Sequence, residues 1–498
     1  MHPSSLPKFS PSTKSETDSS KANRRFVIAG AGISGLATGL GLGLTGQEVT
    51  VLEQASTLEE AGAGIQVAPN ATRILARLGV LEEVMKDADV LERISIRRYA
   101  DDKELGLAPI MPNALHRYGT PALVIHRSDL HRILLQAARK AGCRVLTGRR
   151  VVAVQSGPPP RVQTADGEWH EADVVLGADG VRSVVRSHVV GRDVGLVPTG
   201  DAAYRLLIPR ERIAGHETLG PLVDGGDTIR WIGPRGHIMG YPVRHHALFN
   251  VVILHPVHDS SSSSSPSSSP TLSSIPPPSS SSSSSPTSSL LSPPFPTSSS
   301  SPSPSPSSLS PSLSPSPNGQ VRRPKSAVVN FCRTWSRSVR DLVSCAPEGQ
   351  VTEWLLHTHP PLPRWYRGRI ALVGDACHPM LPYTAQGAAC AIEDAGAIVA
   401  AFACTPDLDA ALDLYQRVRK PQSENVQNAS ARQREGLHLP DGKDQVLRDE
   451  AIRCALAASA DHDDPPPNPD LWLDRRWQDS VWGSDVVEDI FRAAAAAC

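Results

Sequence analysis

Polar and apolar residues along this chain change their period several times, and each change marks an element. Phe26 to Gly46 is a run of 21 residues with almost no polar side chain, punctuated by glycines. By length it could be a membrane span or the apolar part of a signal sequence. The glycines, Glu48 just after it and the strand-like Val49-Thr50-Val51-Leu52 favour a buried strand–turn–helix instead. The pattern predicts a strand at Arg25–Ile28, a helix at Ile33–Thr45 and a second strand at Val49–Glu53. No other stretch reads as long and apolar enough to cross a bilayer. Ala71–Leu78 and Ser128–Ala141 read as amphipathic helices, the latter opened by a Ser128-Asp129 cap. Short strands are predicted at Arg144–Leu146, Val151–Gln155, Arg161–Thr164 and Asp173–Leu176. Between Leu196 and Leu254 the period is mostly two, with strands at Tyr204–Ile208, Thr228–Ile232, His237–Tyr241 and Ala247–Leu254. Ile370–Val373 is a further buried strand, and the Ala-rich Gly387–Cys404 a long helix.

This order of elements implies an α/β fold in which a Rossmann-type dinucleotide domain is discontinuous in sequence and interrupted by an α+β substrate domain. From Asp259 to Asn318 the chain is almost entirely Ser and Pro, too poor in apolar groups to offset its chain entropy, and is predicted to be disordered. Because strand-like sequence stops just before it and ordered-looking sequence resumes just after, it reads as an insertion in a surface loop of one domain. An inter-domain linker is the alternative. The expected divisions are a disordered tail at 1–23, a first dinucleotide segment at 24–195 and a substrate-domain sheet at 196–258. The insert at 259–319, the rest of the substrate domain at 320–362, the second dinucleotide segment at 363–435 and a helical region at 436–498 follow.

Composition narrows the function classes. The 498 residues carry a formal net charge of -1, so nothing points to nucleic acid. Eight cysteines are scattered without a CxxC pair or metal-ligand spacing, which suits a reducing, cytoplasmic setting and no metal centre.

Three glycine-rich turns carry the chemistry. In Gly30-Ala31-Gly32-Ile33-Ser34-Gly35 a strand runs straight into the glycines and a helix starts within them. Gly30 permits the tight turn, Gly32 lets the backbone approach a pyrophosphate, and Gly35 lets helix and strand pack closely. Glu53 follows at the end of the second strand, where a carboxylate can accept ribose hydroxyls. Gly177-Ala178-Asp179-Gly180 ends another strand; alone it is also an ordinary Asp-Gly turn. Gly374-Asp375-Ala376 ends a third, and Gln386-Gly387-Ala388-Ala389 then opens a helix whose start can face negative charge on a bound group.

With Gly64-Ile65-Gln66, Pro69-Asn70-Ala71 and His126-Arg127-Ser128-Asp129-Leu130, these motifs resemble those of the flavin-dependent aromatic hydroxylases. The run from Gly374 to Tyr383 is similar to the fungal salicylate-hydroxylase-like branch. The resemblance covers about residues 24–435 apart from the Ser/Pro segment. It implies a class A flavoprotein monooxygenase with the fold of para-hydroxybenzoate hydroxylase. Such an enzyme binds FAD non-covalently, uses NAD(P)H and O2, and hydroxylates a small phenolic or salicylate-like substrate through a C4a-hydroperoxyflavin. By motif position, Glu53, Ala63, Gly64, Arg127, Asp375 and Ala388 would contact FAD, and Asp179 with Gly180 would belong to a motif shared by FAD and NAD(P)H. Arg205 and Tyr241 fall where related fungal enzymes place their active-site Arg and Tyr. A surface-paired Arg and a core Tyr are the alternatives there.

The chain departs from the wider family at Ala385 and Ala389-Cys390, where many relatives have Gly and a Gly-x-Asn ending. His378 reads as a packing or backbone-bonding residue, and His245-His246 and His357-x-His359 as solvated loop residues. Trp472, Trp477 and Trp482, five residues apart, suit C-terminal packing. Two other functions fit the motifs: an epoxidase or oxidase on a non-aromatic substrate, or a non-catalytic flavin-binding protein.

Overall fold

The computed structural model describes residues 6–9, 23–58, 62–257, 319–461 and 465–496. The Ser/Pro segment and most of the tail lie outside these residues.

Near-continuous apolar runs form strands that are covered on both faces, the condition for a parallel sheet. Among the described residues, six strands line up in the order Tyr366–Arg367, Ile370–Leu372, Val174–Gly177, Arg25–Ala29, Glu48–Leu52 and Arg144–Leu146. Ile28 lies beside Leu176 on one side and Val51 on the other, and Leu176 lies beside Ala371. All these pairings are parallel except the edge hairpin at Tyr366–Arg367. Five strand C-termini therefore emerge along one edge. Over this sheet the helix Ile33–Leu44 packs on Gly387–Cys404. The approach is close at Gly41, where a Cβ would stand 2.6 Å from Val399 Cγ2. The helix Gly387–Cys404 overturns the expectation that only the first apolar run has membrane-like length. It too is long and apolar enough, at 18 residues with mean hydropathy 1.5, but 72% of it is buried against protein.

The strands of period two build an eight-stranded sheet. Its order is Gln320–Pro324, Gln350–Thr358, Val197–Pro209, Leu248–Pro256, Gly236–Val243, Asp227–Gly233, Arg93–Arg98 and Glu104–Pro109. The last two come from the first third of the chain. One face packs on Val328, Trp335, Val339 and Leu342; the other turns Met239, Tyr241 and Leu254 toward Tyr383 and Val124. A small sheet of Gly64–Val67, Leu123–His126 and Asp89–Val90 lies beside that second face.

The strands flanking the Ser/Pro segment, Leu248–Pro256 and Gln320–Pro324, belong to this one sheet. Both ends are held by a single carboxylate. Buried Glu353 meets Arg323 at 2.8 Å and His255 Nε2 at 3.4 Å, and His255 stacks on Tyr204 with ring centroids 4.0 Å apart. Glu353→Ala is therefore expected to cost about 2–3 kcal/mol in chemical denaturation, since it removes charge-assisted bonds from a buried site. Glu353→Gln, which keeps an acceptor oxygen, should lose less; equal losses would show that acceptor geometry contributes nothing.

Several local expectations are corrected. Residues 6–9 of the predicted tail dock: Leu6 and Phe9 pack on the core because they are apolar, and the Phe9 N–H donates to the Arg77 carbonyl at 2.9 Å. The helix expected to open at a Ser128-Asp129 cap begins at Arg127, with His126 at its N-cap and no side-chain cap bond. Asp129 is drawn instead to Arg244 at 2.8 Å. The C-terminal region packs on the rest of the described residues, in line with its spaced tryptophans. Arg77 pairs with Asp485 at 2.7 Å, and buried Arg230 in the large sheet pairs with Asp470 at 2.6 Å. Trp482 makes edge contacts with Tyr118 and Trp472.

Candidate functional site

The three glycine turns leave adjacent parallel strands at the same edge and touch one another. Gly30, at φ +103°, sits so close to Ala178 that a Cβ would overlap the Ala178 carbonyl and come within 3.2 Å of Asp179 Cα. A Cβ on Gly35 would lie 3.3 Å from Ala178 Cβ, and one on Gly374 would lie 2.8 Å from Ser34 Cβ. Segments more than 300 residues apart thus form one crevice outside the carboxyl ends of a parallel sheet, the usual ligand position in such folds.

Next to the crevice Glu53 ties two backbone turns together, accepting from the Ala31 N–H and the Ala55 N–H, each at 2.8 Å. The Arg127 N–H donates to the Ala63 carbonyl at 2.9 Å, and the Gly64 N–H donates to buried Asn250 Oδ1 at 2.7 Å. Gly64 must be small, because a Cβ would stand 2.6 Å from Tyr241 Cε2. Gly387 and Ala388 form the half-exposed first turn of their helix, reached through Ala385 at φ +51°, the left-handed conformation that glycine would adopt with less strain. The Asp179 carboxylate is engaged within the protein. It accepts from Ser183 Oγ at 2.5 Å and from the Val184 N–H at 2.7 Å, so it caps the helix Val184–Val190, and the turn's offer to a ligand is backbone.

These residues fit a dinucleotide. The helix Ile33–Leu44 starts with no side-chain cap and no acidic residue in its first turn, so its amides and positive end suit phosphates. A Cβ on Gly32 would meet nothing within 4 Å. The buried hydroxyls of Ser34 and Thr384 have no hydrogen-bond partner among the described residues. Asp375 keeps an open side-chain surface while desolvation by surrounding protein pushes its carboxyl above the usual range, with His378 and Arg127 opposing. Asp375 therefore lines the crevice, a recess beside the Gly374 turn, with its side chain accessible. Gly30 and Gly32 therefore separate fold from binding. Gly30→Ala is expected to destabilise the protein by about 2 kcal/mol or more. Gly32→Ala should leave the unfolding midpoint unchanged yet weaken FAD binding at least about tenfold, because the methyl would occupy the phosphate's approach. Titration of apoprotein with FAD beside a melting curve checks both.

Across the recess lies the second face of the large sheet. Register places Arg205 beside Val252 and Thr352, and Tyr241 beside Asn250, so both point to the face lined by Met239 and Leu254. Burial lowers the Arg205 pKa; Tyr241 opposes this and Arg127 reinforces it. Arg127 thus acts on both Arg205 and Asp375, which brings the dinucleotide and sheet residues into one neighbourhood. Among the described residues no carboxylate pairs with Arg205, and its Nε is buried without an acceptor. Burial also raises the Tyr241 hydroxyl, so it stays protonated as a donor.

The Gly374 turn is fixed from behind. Buried Asp394 accepts from the Gly374 N–H at 2.8 Å and from Arg419 Nε at 3.0 Å, and lies 2.6 Å from His378 Nε2. His378 therefore bonds a carboxylate rather than backbone. Of the other histidines, His359 is buried, contrary to the solvated reading, and His246 Nδ1 bonds the Val223 carbonyl at 2.7 Å. Asn250 escaped the sequence reading, although a lone amide inside the apolar run from Leu248 to Leu254 was a usable signal.

Comparison with known proteins agrees with this geometry. The model of the FAD binding domain family matches residues 25–194 and 346–430. A 3-amino-4-hydroxybenzoate 2-monooxygenase of Streptomyces platensis is 32% identical over 436 residues, covering 86% of this chain and 93% of that protein. A 3-hydroxybenzoate 6-hydroxylase of Aquipseudomonas alcaligenes is 31% identical over 435 residues, covering 86% and 93%. A salicylate hydroxylase solved with substrate shares the fold at a TM-score of 0.67 and 22% identity, covering 95% of this chain and 98% of that one.

Proposed function

Because the chain belongs to the FAD binding domain family of flavin-dependent monooxygenases, we propose that it hydroxylates an aromatic acid, using NAD(P)H and O2 with one non-covalently held FAD. The carrying observation is Arg205, a half-buried arginine whose buried Nε has no acceptor and which has no carboxylate partner among the described residues, on the wall that faces the dinucleotide turns. A cation partly withdrawn from water with no carboxylate beside it is stabilised by an anionic ligand. Both relatives above are named for hydroxylated or aminated benzoates, which suits that reading.

When bound, FAD supplies hydride acceptance and oxygen activation. The protein's own groups do the rest. Glu53 holds the ribose, Gly30, Gly32 and Gly35 with the helix behind them hold the pyrophosphate, and the Asp179 turn closes that edge. Asp375, Ala63, Gly64 and Arg127 line the flavin side, and the helix start at Gly387 and Ala388 faces developing negative charge. Arg205 pairs the substrate anion, and the Tyr241 hydroxyl donates to a ring substituent. The large sheet shuts water out of the recess. In this reading 24–195 and 363–435 hold FAD, while 196–258 and 320–362 form the substrate wall. The seven described cysteines are free thiols, which suits a reducing, cytoplasmic location.

The test is oxygen-dependent NAD(P)H consumption by the purified protein with a panel of hydroxybenzoates, read with mass spectrometry. A product heavier by one oxygen supports the proposal. NAD(P)H consumption with no oxygenated product from any aromatic acid would refute it.

A further inference from the structure

Trp354 stands where a counter-ion to Arg205 would be expected. In the sheet register Trp354 lies opposite Ala203, and Arg205 lies opposite Thr352, so the indole and the guanidinium are diagonal neighbours on one face. Ala203 presents only a methyl group, which leaves the ring room to lean across. The guanidinium carbon is 5.1 Å from the ring centroid. The preceding residue, Glu353, points to the opposite face and is engaged there by Arg323 and His255. Strand alternation thus sends the carboxylate away from Arg205 and the aromatic ring toward it.

This arrangement keeps the cation free for a ligand. A carboxylate at position 354 would neutralise Arg205 and compete with an incoming anion. A π face attracts the guanidinium without using its hydrogen-bond donors, and so holds the fork in place for a planar partner. Resting on the monooxygenase reading above, we infer that Trp354 is the positioning residue for Arg205 and sets the preference for aromatic carboxylates over neutral rings of the same shape. A carboxylate matches the fork with two parallel bonds, which an amide cannot do.

The test uses the flavin-loaded enzyme and two probe sets, hydroxybenzoates and the corresponding neutral hydroxybenzamides. Dissociation constants are read from the change in flavin absorption. Trp354→Leu is expected to raise the dissociation constant of the best benzoate about tenfold and to leave its benzamide within about twofold. Flavin content and unfolding midpoint should match wild type, and Trp354→Phe should recover most of the loss. Equal weakening for both probe sets, no weakening for either, or loss of flavin with the substitution would overturn the inference. A wild type that hydroxylates a neutral ring but binds no benzoate would also overturn it, leaving the monooxygenase reading intact. A wild type that hydroxylates nothing would remove the reading on which it rests.

Discussion

Arg205→Met is expected to lower kcat/KM for an aromatic acid by about 10²–10³-fold without lowering stability. Truncating one partner of a buried, hydrogen-bonded charge pair costs about 2–5 kcal/mol, which is the source of that range. The stability half of the prediction is the more diagnostic. Within the protein Arg205 has no carboxylate partner among the described residues, its Nε has no acceptor, and burial lowers its pKa. Replacing a half-buried cation that has no carboxylate beside it with an apolar side chain of similar length should leave the unfolding midpoint close to that of wild type. Arg205→Lys keeps the charge but loses the planar fork and should fall between wild type and Met. The measurement is steady-state kinetics on a flavin-loaded series beside melting curves. A Met variant that melts well below wild type with unchanged kcat/KM would reduce Arg205 to a structural residue.

The second large effect lies behind the Gly374 turn. Asp394→Ala is expected to destabilise the protein by about 3–5 kcal/mol, because it strands Arg419 in the core and leaves the Gly374 N–H without its acceptor. Glu393, 3.4 Å from Arg419, softens the loss without replacing the short bond. The same site sets an acid limb. Burial alone would raise the Asp394 carboxyl, but His378 and Arg419 outweigh it and hold it below the usual range. A carboxyl held low contributes stability that is complete above its unfolded value, near pH 4, and is lost as pH falls through its lower native value. Glu393 and Asp375 are shifted upward and act in the opposite direction. The informative quantity is therefore the difference between wild type and Asp394→Asn across pH 2–5 (roughly the carboxylate range). Wild type should lose its advantage as the solution becomes more acid, and a constant difference would contradict the assignment.

What could be read from residues alone follows from how locally each feature is encoded. The turns at Gly30, Gly177 and Gly374 were legible because each couples an apolar strand to residues that permit unusual backbone. The helix Gly387–Cys404 was legible because it is apolar apart from Glu393 and Asp394 and begins after a turn. The strands Arg93–Arg98 and Gln350–Thr358 went unmarked, although the Ile94 and Ile96 alternation fits the sheet that encloses them. Pairings between distant segments left no trace in sequence. Asp394 sits in an Ala-rich helix and Arg230 in an apolar strand, and nothing in either neighbourhood names Arg419 or Asp470 as the partner. Asp179 shows the limit from the other side: its motif named the right turn, while the competition for its carboxylate was settled by Ser183 and the helix start. Trp354 was likewise silent, because its role depends on which residue the register places diagonally across from it.

The account depends on distant turns meeting around one dinucleotide, and a fluorescence titration of the apoprotein with FAD tests that most directly. One FAD per chain is predicted, with flavin absorption between roughly 350 and 480 nm retained after gel filtration, and with binding weakened by Gly32→Ala at unchanged stability. An apoprotein that stays colourless, or a Gly32→Ala variant that binds FAD as tightly as wild type, would contradict it.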